Sequence, residues 1–392
     1  MYKKLICLVL ALVFMFTFTG CANNAATTAA PTEEIKMGFY APLTGPTSLI
    51  GIPLQEGARL AVDEINEQGG INGKKIKLVE YDDKASAETA VKVVTRLIQE
   101  DKVNVILGSL VSGNILATAN LVEKAGIPEV GTGTSPKWTA QGYKYIFRGN
   151  AHSGWYNGAL IEAMKKMGVK KLALLSSSTE YAKGGSDNLL KALKEDGTIE
   201  VILHENFQGG DTDFTGQMTK MISSGADAMF LYASAEDMGM QMKQFRQLGW
   251  KGFVFGPEGF NTPDIVKVAG ESADGAVFSC GYVIPESPEG AMNAAEKSFL
   301  EAYVKKYARM PVNDTAYRAY DAAKILAMGL KNANSLDGTA IRDAIKSINT
   351  YEGIAGKFDF TAGTGDGVST ARAYIIQGGK NVPLEKYLET KK

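Results

Sequence analysis

Cysteine and histidine are scarce in this chain of 392 residues, which holds only Cys7, Cys21, Cys280, His152 and His204. The two histidines lie far apart. No group of Cys, His, Asp and Glu has metal-ligand spacing, so both read as ordinary polar residues and no metal is expected. Lys and Arg number 42 against 43 Asp and Glu, a net charge of −1 with no long run of one sign. A basic field that could hold nucleic acid is therefore missing. G-x-x-x-x-G-K-[ST] does not occur. Gly131-Thr132-Gly133 lacks the third glycine of a dinucleotide fingerprint, because Pro136 closes that turn. G-x-S-x-G is absent too, and a hydroxyl without a neighbouring base is a poor nucleophile. Neither a cofactor nor catalysis is expected.

Among long apolar runs the chain has one, Leu5–Phe18, broken only by Thr17. It is shorter than the ~20 residues of a stable membrane-spanning helix. Lys3 and Lys4 precede it and Thr19-Gly20-Cys21 follows. A basic start, a short apolar stretch and a small residue before a cut form a secretory signal, over residues 1–20. The Cys directly after Gly20 resembles the lipobox of bacterial lipoproteins, although Phe18 stands where Leu is usual. That resemblance implies lipidation of Cys21, anchoring at a membrane, and a working place outside the cytoplasm. Losing Lys3 and Lys4 with the signal takes the net charge from −1 to −3. Cys7 leaves as well, so Cys280 has no partner for an intrachain disulfide. In Val277–Cys280 it reads as a small buried strand residue. Residues 21–33 are small and polar without apolar period, a flexible tether.

What remains suits about two domains. From Ile35 short apolar strands alternate with helical spacing. Strands are expected at Ile35–Tyr40, Lys75–Asp82, Val103–Leu107 and Ile127–Val130, with helices from Leu54, from Ala87 and over Asn114–Lys124. The pattern restarts with a helix over Gly158–Met167 and strands at Leu172–Leu175, Glu200–Leu203, Ala228–Tyr232 and Phe253–Phe255. Helices Ser186–Lys194, Phe214–Ser223 and Asp237–Leu248 lie between them. Two further helices (Ala291–Tyr307, Thr315–Asn332) and a strand at Ala373–Gln377 follow. Repeated β-α units with short connections predict parallel sheets covered on both faces, in two α/β lobes divided near residue 150.

Ligands of open α/β sheets bind beyond the carboxyl ends of the strands. The loops there are Pro42–Ser48, Gly108–Asn114 and Gly131–Pro136 in the first half, and Ser176–Tyr181 and Gly256–Gly259 in the second. The first-half loops are rich in glycine and hydroxyls, and Ser112-Gly113-Asn114 runs into a helix N-terminus, whose free N–H groups favour an anion. The same residue types also serve as N-caps and turn formers. Three such loops together favour an anionic ligand group. Glu258, on a rigid turn in the second half, can pair with an ammonium group or stand as a solvated acid. An anion site facing a cation site suits a zwitterion. Trp155, Tyr181 and Tyr232 are candidates to cover its apolar part, or to sit in a core.

The motifs PLTGP (42–46), QEGARLAVDEINEQGGINGKKIKL (55–78), ILGSLVSG (106–113), GTGTSP (131–136), TEYAKG (179–184) and FGPEGFNTP (255–263) resemble those of the leucine/isoleucine/valine-type periplasmic solute-binding proteins. The resemblance implies a type I periplasmic binding fold: two doubly wound α/β lobes on a three-strand hinge, with ligand in the cleft. Lobe 1 would be 34–151 plus 284–357, and lobe 2 would be 152–283 plus 358–392. It further implies that Ser112 binds an α-carboxylate through hydroxyl and amide, and that Thr132 and Thr134 contact the α-carboxylate and α-amine. Glu258 would accept the α-ammonium and Tyr181 would close over the ligand. The implied ligand is a branched-chain or other apolar or aromatic amino acid, but Ile50 and Ser234 stand where these proteins often place aromatics, which leaves a wider pocket open to an aromatic or polar side chain. The implied partners are a small-molecule ligand, an amino acid above all, and the permease of an ABC importer. The chain would act as a monomer and not as an enzyme. Two alternatives stay open: a non-amino-acid solute such as an amide or aromatic acid, or a ligand-sensing receptor module. A surface enzyme would need more than the adjacent His152-Ser153.

Overall fold

The computed structural model describes residues 34–354 and 356–391. The signal, Cys21 and the 21–33 tether lie outside the described residues. Five strands, Ile35–Ala41 (β1), Ile76–Asp82 (β2), Val105–Leu107 (β3), Glu129–Gly131 (β4) and Ile146–Arg148 (β5), form a parallel sheet in the order β2-β1-β3-β4-β5. Helices Ser48–Glu67 (α1), Ala87–Arg96 (α2) and Ser112–Ala125 (α3) connect its strands. After Ser153–Lys166 (α4), a second sheet begins with Lys171–Ser177 (β6), Glu200–Phe207 (β7), Ala228–Tyr232 (β8), Val254–Gly256 (β9) and Ala276–Cys280 (β10). Its helices are Glu180–Asp196 (α5), Thr215–Ser223 (α6), Ala235–Gln247 (α7) and Pro263–Ala269 (α8). The chain continues through Ala294–Tyr307 (α9), Thr315–Ala333 (α10), Gly338–Lys346 (α11) and a hairpin, Tyr351–Gly353 (β11) with Gly356–Phe358 (β12). It then returns to the second sheet as Arg372–Gln377 (β13), antiparallel to β10, and Lys380–Pro383 (β14), ending with Leu384–Glu389 (α12). That sheet runs β14-β13-β10-β9-β8-β6-β7.

Each sheet buries apolar side chains on both faces, which is why its central strands read as continuous apolar runs. One face of the first sheet packs on α1, α9, α10 and α11, with Phe39, Leu107, Phe299 and Leu326 in its core. The other packs on α2 and α3 around Val94, Ile115 and Trp138. The second sheet is covered likewise on both faces. This is the doubly wound, two-lobed architecture expected from the alternation. Helices α9–α11, though they follow β10 in the chain, complete the first lobe. Phe360 and Val368 also lie in the first lobe's core, so the last passage to the second sheet falls between Val368 and Arg372, later than the 357 inferred from the family motifs. Among the described residues no helix is long and apolar enough to cross a membrane. Cys280 is buried in β10, as its strand setting predicts, and its Sγ–H donates to the Tyr282 carbonyl at 3.2 Å.

Helix α1 starts at Ser48, earlier than the Leu54 expected from the loop-like Pro42–Pro53 stretch, and Pro53 lies inside it. Proline has no N–H for the carbonyl four residues back, Leu49. Asn313 Nδ2 donates to that carbonyl instead, at 3.1 Å, and Thr315 Oγ1 donates to the next, Ile50, at 2.8 Å. The first cleft loop is thereby pinned to the start of α10. One turn on, a Cβ at Gly57 would stand 2.0 Å from the Ala316 carbonyl. Glycine is what lets α1 and α10 approach this closely.

Glu129 on β4 is fully buried and takes the Tyr40 hydroxyl on Oε1 at 2.8 Å. Burial pushes its carboxyl up to about 7, against the pull of the Tyr40 bond. The folded protein thus keeps a proton that the unfolded chain releases near the ordinary carboxylate range, so this part of the stability is lost as pH rises through about 7. This contribution to the melting temperature is expected to fall away between the ordinary carboxylate range and about pH 7, against an opposing rise from His152 and His204, whose pKa values burial lowers. Glu129→Gln should flatten that slope in part, because burial pushes Asp83 and Glu258 in the same direction. An unchanged slope in the variant would contradict this reading of Glu129.

Candidate functional site

A cavity of about 480 Å³ opens between the carboxyl ends of the two sheets. The first lobe supplies Thr47, Ile50, Leu110, Ser112–Asn114 and Thr134, together with Asp314, Thr315 and Arg318 from the start of α10. The second lobe supplies Thr179–Tyr181, Ala233–Ala235, Glu258, Gly259 and Thr262.

The anion-friendly end is the N-terminus of α3. Val111 precedes the helix and makes no side-chain cap, and its carbonyl takes the Asn114 amide at 2.9 Å, so the Ser112 and Gly113 N–H groups are left for the cavity. The loop before it is fixed from below. Ser109 Oγ donates to buried Asp83 at 2.7 Å and accepts from the Val111 amide at 3.1 Å. Ser112 Oγ accepts from the Ser135 amide at 3.2 Å, tying this loop to the one that carries Thr134. A fully buried guanidinium holds the Thr134 loop. Arg148 donates to the carbonyls of Gly133 and Ser135, on either side of Thr134, and to Asp366 Oδ1 at 2.6 Å. It also stacks on Trp138 with 3.7 Å to the ring centroid. The Thr134 carbonyl is taken by the Ser153 amide at the start of α4.

Facing this end, Glu258 begins a short 3-10 turn after β9 and is 7% exposed. Its Oε2 is buried without a hydrogen-bond partner. Burial raises its pKa, while the Arg318 charge and the Thr134 hydroxyl pull it down. A buried carboxylate with an unfilled acceptor is costly to keep, and a cationic ligand group relieves that cost. Tyr181 lines the cavity from the first turn of α5, its hydroxyl turned to Glu258 and its ring 5.6 Å from that of Tyr232 in an edge-on contact.

Six of the eight residues singled out from sequence therefore meet in one cavity: Ile50, Ser112, Thr134, Tyr181, Ser234 and Glu258. Ser234 arrives with its hydroxyl occupied, capping α7 through the Asp237 amide at 3.2 Å. Two residues are not in the wall. Thr132 is buried below it, with amide and hydroxyl both on the Ser109 carbonyl, at 3.1 and 3.5 Å. Trp155 is 47% exposed on α4, because the helix starts at Ser153 and turns Tyr156 inward instead. Sequence reasoning missed Asp314 and Arg318. Their one signal is a charged i, i+4 pair at the start of an alanine-rich apolar helix, where an unpaired charge could not be buried.

The lobes touch at the cleft mouth. Lys137 of the first lobe reaches Glu180 and Asp187 on α5, at 3.6 and 3.4 Å.

The sequence motifs of the periplasmic binding protein family match over residues 34–381, nearly all of the described body. The chain belongs to that family. Periplasmic binding proteins bind solutes outside the cytoplasm and are not enzymes. Its relatives include the "leucine-, isoleucine-, valine-, threonine-, and alanine-binding protein" of Pseudomonas aeruginosa, 27% identical over 84% of this chain and 86% of that one. Among solved structures, the branched-chain amino acid transporter substrate binding protein LivJ of Streptococcus pneumoniae, in complex with isoleucine, is 31% identical. It covers 89% of this chain and 98% of its own, with a TM-score of 0.80. A solute binding protein of an ABC transporter from R. palustris, in complex with benzoate, shares the fold at 22% identity and a TM-score of 0.78, over 90% and 95% of the two chains. One periplasmic binding scaffold thus serves chemically different ligands.

Proposed function

We propose that this periplasmic binding protein is the lipid-anchored, monomeric receptor of an ABC importer, and that it captures a free amino acid by closing its lobes and delivers it to a membrane permease. The observation that carries the proposal is the pairing, across one cavity, of the uncapped α3 N-terminus with the buried, unpartnered Glu258 Oε2. An α-carboxylate fits the first and an α-ammonium the second. Ser112 and Thr134 orient the ligand and Tyr181 covers it. Contacts from both lobes favour the closed form only by what the ligand gains there over the open form. The names of the relatives support an amino acid as the ligand class.

A thermal-shift screen of residues 33–392, unfolded and refolded to strip retained ligand, tests the proposal. A ligand at ~100 times its dissociation constant stabilises the fold by ~2.7 kcal/mol. Free amino acids are expected to raise the melting temperature, and their α-amides and deaminated forms are not. Shifts only with aromatic acids or neutral amides would overturn the roles given to Glu258 and Thr134. For the anchor, mass spectrometry of the membrane fraction is expected to find a mature protein beginning at acylated Cys21. A Cys21→Ser chain should be released from the membrane, and if it stays membrane-bound the anchor lies elsewhere.

A further inference from the structure

The cavity contains an ion pair that a purely apolar side chain would leave unused. Arg318 Nε and Nη2 both donate to Asp314 Oδ2, at 3.0 and 2.7 Å. Among the described residues, Arg318 Nη1 and Asp314 Oδ1 have no hydrogen-bond partner. Each residue is only 7% exposed, and both line this cavity and the small void beside it, so their remaining accessibility opens there. The pair thus presents one free donor nitrogen and one free acceptor oxygen, with a net charge of zero. A ligand carboxylate here would meet the Asp314 charge, and an ammonium would meet Arg318. A neutral group that both accepts and donates meets neither penalty and fills both positions. Ile50, Leu110 and Val111 add apolar wall to the same cavity, which suits a short hydrocarbon stem.

We infer that Asp314 and Arg318 are the specificity-determining residues of the cleft, and that the ligand side chain ends in a primary carboxamide, its carbonyl accepting from Arg318 and its amide nitrogen donating to Asp314. This rests on the amino-acid reading above and adds the side-chain class to it. The sequence alone favours a branched-chain, other apolar or aromatic side chain while leaving a polar one open, because neither residue is visible as part of a site before folding. A site built to hydrogen-bond a ligand group discriminates strongly against an isostere that lacks it, since its own polar groups are then buried unpaired.

Asparagine and leucine are close in shape, as are glutamine and methionine, so calorimetric titration of the refolded protein with these four probes is a direct test. The inference predicts that asparagine or glutamine binds at least ~10-fold more tightly than its apolar counterpart, with aspartate and glutamate weaker than their amides. The double variant Asp314→Asn/Arg318→Met removes both charges together and leaves neither unpaired. It should lose the carboxamide preference while still distinguishing free amino acids from deaminated forms. Leucine or methionine binding as tightly as its carboxamide partner would overturn the inference and leave the amino-acid reading standing. If none of the four binds, the inference falls, and the thermal-shift screen over the remaining amino acids decides the amino-acid reading by itself. The wild-type comparison is decisive even if the double variant does not fold.

Discussion

Glu258→Gln is expected to remove amino-acid binding without harming the fold. Truncating one partner of a buried, hydrogen-bonded charge pair typically costs roughly 2–5 kcal/mol of affinity, or about 30-fold to several thousand-fold. Glutamine keeps the size of the side chain but offers the ligand ammonium no charge. The unliganded protein should respond in the opposite sense. Burial raises the Glu258 pKa, so its charged form is disfavoured in the folded state, and its contribution to stability is lost as pH rises through that raised value. The variant should therefore melt at the same or a higher temperature at pH 8. Wild-type affinity should also weaken as pH is lowered through that range, because a protonated Glu258 cannot pair with an ammonium. In that window ligand binding should release a proton, measurable by calorimetry in buffers of different ionisation enthalpy. Unchanged affinity in Glu258→Gln would remove the cation end of the site.

The second large effect is expected at Gly184, which does not itself line the cavity but sits where the lobes meet. A Cβ there would stand 2.2 Å from Ser135 Oγ and 3.1 Å from Ser135 Cβ, atoms of the opposite lobe. Gly184 lies inside α5, where alanine is the better helix former by about 1 kcal/mol. Gly184→Ala should therefore leave the second lobe intact or firmer, while overpacking the closed form. Overpacking of this kind costs roughly 1–3 kcal/mol, or about 5- to 150-fold in affinity. Titration should show the weaker binding, and X-ray scattering should show a more open unliganded population that saturating ligand still compacts. An unchanged dissociation constant would mean that closure does not bring α5 onto the Ser135 loop.

The sequence carried the architecture because strands buried on both faces are continuous apolar runs, and glycine- and hydroxyl-rich loops mark their carboxyl ends. It carried the cleft loops for the same reason. Where it misled, a long-range contact had replaced a local rule. Pro53 marks a loop by local chemistry, but Asn313, far along the chain, fills the hydrogen bond that the proline leaves open. Thr132 and Thr134 are alike in sequence and two residues apart in a loop, and only the Ser109 carbonyl decides that Thr132 turns away. Trp155 and Tyr156 are both aromatic, and the start of α4 at Ser153 chooses which one is buried. Asp314 and Arg318 reach the cleft because α10 packs along α1, a pairing between residues more than 250 apart. Arg148 is hidden for a similar reason, since its partner Asp366 arrives from the segment just before the last crossing.

The two-ended site is tested most directly by a crystal structure of the refolded protein with the amino acid selected by the screen. The ligand ammonium is expected about 3 Å from Glu258 Oε2 and the carboxylate on the amides at the start of α3, beside the Ser112 hydroxyl. A bound ligand that leaves Glu258 Oε2 unpaired, or that places its carboxylate away from Ser112–Asn114, would contradict it.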